Sequence, residues 1–131
     1  MYKKDMIWIA TATLIHPNIT PTSVVGADHI ESEIFRLFQD RITRIQLDTH
    51  LVSWKARDAD ATIPSRGGDR SRYFFKTKNG VTPSDDGDFR LYKSADSEFD
   101  GTDKTGTFHP RKADIPAQFH YLIDWYLEFY F

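Results

Sequence analysis

Two stretches of the chain decide the fold: TRIQLDTHLVSWKAR, residues 43–57, and SRYFFKTK, residues 71–78. In the first, Thr43-x-x-Gln46 has the form of a capping box, so the spacing predicts a helix from Arg44 to about Arg57. Its apolar stripe is Leu47, Leu51 and Trp54. Another face carries Gln46, His50, Ser53 and Arg57 at spacings of four, three and four, with Thr49 beside them. That ridge of hydrogen-bonding side chains can read base edges, or simply be the solvated side of an amphipathic helix. In the second stretch Tyr73, Phe75 and Thr77 alternate with Arg72, Phe74, Lys76 and Lys78, the period of a strand with its basic groups largely on one side. Asn79-Gly80 is a turn signal, and FRLYK, residues 89–93, returns as a short strand. Phe89 and Leu91 lie on one of its faces, Arg90 and Tyr92 on the other. The two strands are expected to form a β-hairpin, and residues 58–69, with Pro64, Gly67 and Gly68, a loop.

Working outward, residues 3–15 (KKDMIWIATATLI) suit a strand by their Ile and Thr content, while Ile7, Ala10, Thr11 and Leu14 make a helical stripe; the expectation adopted is helix. His16-Pro17-Asn18 ends it, because proline disfavours helical geometry at the residue before it. A second helix is expected from the capping pattern Asp28-x-x-Glu31 and from Ile30, Ile34, Leu37 and Phe38 at i, i+4, i+7 and i+8. Near the C-terminus Asp114 can cap a helix opening at Ile115-Pro116, with a stripe of Phe119, Leu122, Ile123 and Tyr126 continuing to Phe129 and Tyr130. Tyr121, Trp125 and Phe131 fall outside that stripe, more aromatic surface than one face can hide.

The composition bounds the function. A chain of 131 residues with 40% hydrophobic and 27% charged residues is expected to form one domain, residues 1–131, rather than a disordered or fibrous chain. It contains no cysteine, which excludes disulfide frameworks, thiolate metal sites and thiol nucleophiles and fits a reducing interior. No apolar run approaches the roughly 20 residues needed to cross a bilayer. Residues 6–15 lack the cleavage pattern of a signal peptide, so a cytoplasmic protein without membrane contact is expected. The net charge of −2 is unevenly placed. Residues 36–78 hold ten basic side chains against five acidic ones, a balance of +5, and the rest of the chain carries −7. Acids crowd residues 85–103. Clustered Lys and Arg suit a phosphate-facing surface.

The order of three helices and a basic hairpin resembles the winged-helix form of the helix-turn-helix. The runs His50-Leu51-Val52-Ser53-Trp54, Pro64-Ser65-Arg66-Gly67-Gly68, Phe89-Arg90-Leu91-Tyr92-Lys93 and Asp103-Lys104-Thr105-Gly106 are similar to a group of small prokaryotic winged-helix-like proteins of undefined function, from about Trp8 to the C-terminus. The resemblance implies an α+β winged helix-turn-helix with three N-terminal helices, a hairpin wing and a C-terminal helix. If its DNA-binding members are the guide, Gln46, Thr49, His50, Ser53 and Arg57 occupy the recognition helix, with Gln suited to adenine and Arg to guanine. Lys55 would reach a phosphate, and Arg66, Arg70, Arg72, Lys76 and Lys78 would grip the flanking backbone. Arg44 and Ser65 belong to the same expected surface. The wing tip departs from the pattern: it would be Asp85-Asp86-Gly87-Asp88, whose carboxylates repel phosphate.

Enzyme motifs are missing from the sequence. The five histidines show no HExxH spacing, and Asp85, Asp86 and Asp88 lack the Glu-x-Lys strand of a nuclease. The run from Asp96 begins like a calcium loop but has Thr107 at its twelfth position. There is no nucleophile elbow and no Walker loop, so no enzymatic activity, cofactor or small-molecule ligand is expected. Two readings remain: a duplex DNA-binding protein, such as a small transcriptional regulator, or a protein-interaction module using the aromatic residues 119–131. A homodimer through the C-terminal helix is compatible with both, since a two-fold axis would pair two recognition helices with two half-sites.

Overall fold

The first helix, α1 (Lys3–Ile15), lies at the centre of the fold. Ile7, Trp8, Ile9 and Ala10 are all fully buried, and Thr11, Ala12 and Ile15 are buried with them. A helix apolar on every side needs neighbours on every side, and α1 packs against the second helix, the sheet and the C-terminal helix. The stripe expected for it is therefore incomplete: Leu14 is 36% exposed, while Trp8, Ile9 and Ala12, off that stripe, are buried. The buried Thr11 hydroxyl donates to the Ile7 carbonyl one turn back at 2.8 Å, which meets its hydrogen-bonding need inside the helix. α1 stops at Ile15, immediately before His16-Pro17.

The structure is a computed structural model and describes residues 1–18, 25–42, 61–63, 73–76, 89–93 and 108–131, with 61–63, 75, 76 and 89 described by their backbone. The second helix, α2 (Ala27–Phe38), follows its expected stripe. Ile30 and Ile34 are buried, with Leu37 and Phe38 packed against the same core. Its cap differs from the expectation. Gly26, not Asp28, is the N-cap and no side chain caps it, so Asp28-x-x-Glu31 makes no capping box. The helix ends at Gln39, whose φ of 53° is left-handed and whose N–H donates to the Phe35 carbonyl at 2.9 Å. Glu33 faces inward and is held by the Arg36 guanidinium, with the Thr13 hydroxyl of α1 3.3 Å away.

Three short strands, β1 (Ala61–Ile63), β2 (Phe74–Lys76) and β3 (Phe89–Leu91), form an antiparallel sheet in that order. The register pairs Ile63 with Phe74, and Phe74 in turn with Leu91; at the other end Ala61 pairs with Lys76, and Lys76 with Phe89. A bond from Tyr92 N–H to the Tyr73 carbonyl, 3.1 Å, extends the β2–β3 ladder by one pair. β1 falls within the span expected to be loop, where three residues of modest apolarity carried no alternating pattern to reveal a strand.

The winged-helix expectation is corrected by these contacts. A wing is a solvated projection, but here both faces of the β2–β3 pair are covered. Phe74 and Leu91 are buried on one face, Tyr73, Arg90 and Tyr92 on the other. Among the described residues helix predominates, with α-helices of 13, 12 and 11 residues against three strands of three residues each. The helix expected over residues 44–57 lies outside the described residues.

The C-terminal helix also begins later than expected. 3-10 turns at Lys112–Asp114 and Ala117–Phe119 precede α3 (His120–Tyr130), and Phe119 is its N-cap. Asp114 caps no helix; it accepts hydrogen bonds from Arg111 at 2.8 and 3.2 Å. α3 turns Leu122, Ile123, Trp125, Tyr126 and Tyr130 into the core. Tyr126 meets Trp8 of α1 edge to face, ring centroids 5.5 Å apart.

Candidate functional site

Of the residues expected to contact DNA, Arg44, Gln46, Thr49, His50, Ser53, Lys55, Arg57, Ser65, Arg66, Arg70, Arg72 and Lys78 lie outside the described residues. Lys76 is placed by its backbone: it closes β2, between Ala61 and Phe89. Within the same strand Phe74 is buried, paired with the buried Leu91.

Ile63 pairs with Phe74 at one end of the sheet. Lys76 pairs with Phe89 at the other end.

Several of the described cations are held by partners within the fold. Arg90 is only 6% exposed and donates to the Leu91 carbonyl at 3.3 Å. Lys112 pairs with Asp124 at 2.7 Å across the start of α3. Arg111 and Arg36 are held above the ordinary arginine range by their hydrogen bonds to Asp114 and Glu33. Arg41 is different: it is exposed, and its guanidinium rests 4.8 Å from the centroid of the Phe35 ring. The two border a shallow groove of about 330 Å³ with Glu31, Ser32 and Ile42. Sequence reasoning passed over this pair; the signal was Phe35, an aromatic off the apolar stripe of α2 and left 43% exposed.

Three of the histidines serve as internal contacts. His16 sits edge to face with Tyr121 and Trp125, at 5.2 and 5.3 Å between centroids. His120 Nε2 lies 2.7 Å from the Lys112 carbonyl and 3.2 Å from that of Ile115, so it carries the proton and donates to both, tying the 3-10 turn to α3. His109 Nδ1 meets the Pro110 carbonyl at 2.8 Å in the same way. Among the described residues no group of three or more His, Cys, Asp or Glu could hold a metal ion.

The aromatic C-terminal segment is chiefly core. Tyr126 and Trp125 contact Tyr130, and Phe108, Tyr92 and Phe131 stack nearly parallel, with Tyr92 and Phe108 centroids 4.3 Å apart. The outward face of α3 interleaves Tyr121, Leu127 and Phe131 with Asp124 and Glu128, so exposed apolar groups are separated by charge. No helix among the described residues is long and apolar enough to cross a membrane. Comparison with protein-family models, with curated proteins and with solved structures gives no match in any of the three.

Proposed function

We propose that the chain binds duplex DNA through its basic middle, residues 36–78. The observation that carries this reading is the charge distribution: ten basic residues against five acidic ones over that stretch, in a chain of net charge −2. Cations clustered in this way gain affinity for a duplex by releasing its condensed counterions. One feature of the fold supports it. Within the stretch Arg41 is exposed, with its guanidinium over the Phe35 ring. In this reading Arg44, Lys55, Ser65, Arg66, Arg70, Arg72, Lys76 and Lys78 contact the phosphate backbone. Gln46, Thr49, His50, Ser53 and Arg57 are the residue types suited to base edges.

Fluorescence anisotropy of a labelled random-sequence duplex against the intact chain, from about 50 to 200 mM salt, tests the proposal. Micromolar binding that weakens steeply with salt is the expected result. No binding at the lowest salt overturns it.

A further inference from the structure

We draw no further inference here: the strongest candidate, the groove of about 330 Å³ at the C-terminal end of α2 lined by Glu31, Ser32, Phe35, Arg41 and Ile42, carries nothing because nothing in the structure shows what covers it.

Discussion

The phenol of Tyr126 donates a hydrogen bond to the backbone carbonyl of Tyr92, 34 residues away in sequence, and so ties the C-terminal helix to the end of the sheet. The same ring packs edge to face on Trp8 of the central helix. One fully buried side chain thus joins three elements. Its hydroxyl satisfies a carbonyl that would otherwise be cut off from water in the core. Tyr126→Phe keeps the ring and removes the bond, so unfolding in urea should show a loss of about 1–3 kcal/mol, the cost of leaving a buried acceptor unpaired. An unchanged midpoint would mean that water reaches the Tyr92 carbonyl.

Truncation after Asp124 removes Trp125, Tyr126 and Tyr130, three of the buried aromatic residues of the core. The shortened chain should lose its cooperative thermal transition, followed by circular dichroism. A folded, soluble product would instead assign the aromatic segment to an interface, and light scattering on that product would then report whether the full-length chain loses a partner copy with it.

Glu33 links α1 to α2 from a buried position, between the Thr13 hydroxyl and the Arg36 guanidinium. Glu33→Ala should destabilise by about 1–3 kcal/mol, since it empties a packed, buried position between the two helices, while the Thr13 hydroxyl keeps its bond to the Ala10 carbonyl at 2.9 Å. Arg36→Ala should cost less, because the Arg36 side chain is 66% exposed and solvent screens what it contributes. Denaturant midpoints of the two variants check the order.

Alkaline pH should act through Tyr130. Burial pushes its phenol up to about 12, against an ordinary value of 10.0, and the nearby Arg90 offsets this only in part. The unfolded chain therefore releases this proton first. Between these two values it binds fewer protons than the native state, and stability falls as pH rises. The Tyr130 hydroxyl has no hydrogen-bond partner among the described residues, so Tyr130→Phe should cost little at neutral pH and lessen the decline in melting temperature above about pH 10. An identical alkaline decline in that variant would move the effect to other groups.

For the DNA-binding proposal, replacing Arg66, Arg70 or Arg72 by Gln should weaken binding on all sequences and lower the salt slope by about one for each phosphate no longer neutralised. Replacing Gln46 or Arg57 should change which sequences are preferred. Equal losses on every sequence from the second pair would remove those residues from base recognition while leaving the basic surface intact.

Local periodicity made α2 legible, because a helix covered on one side carries its burial as a stripe, and Ile30 and Ile34 are where that stripe puts them. The segments of β2 and β3 were legible for a similar reason, since alternation is a local signal. The candidate phosphate and base contacts were legible only as charge and spacing. For the most part those residues lie outside the described structure, and only Lys76 has been placed, in the ladder of the sheet.

Other properties depended on what each element packs against. The chain alone determined where charge accumulates, which segments have helical or strand periodicity, and that thiol chemistry is absent, since these belong to residues and their spacing. Only the tertiary structure decided that α1 is enclosed on all sides over residues 7–12, that Arg90 is interior, and that β2 and β3 belong to a covered sheet rather than a wing. Burial is a relation between elements distant in sequence, as Tyr126 is from Trp8 and Tyr92, and a periodic pattern within one element cannot say how many neighbours that element will have.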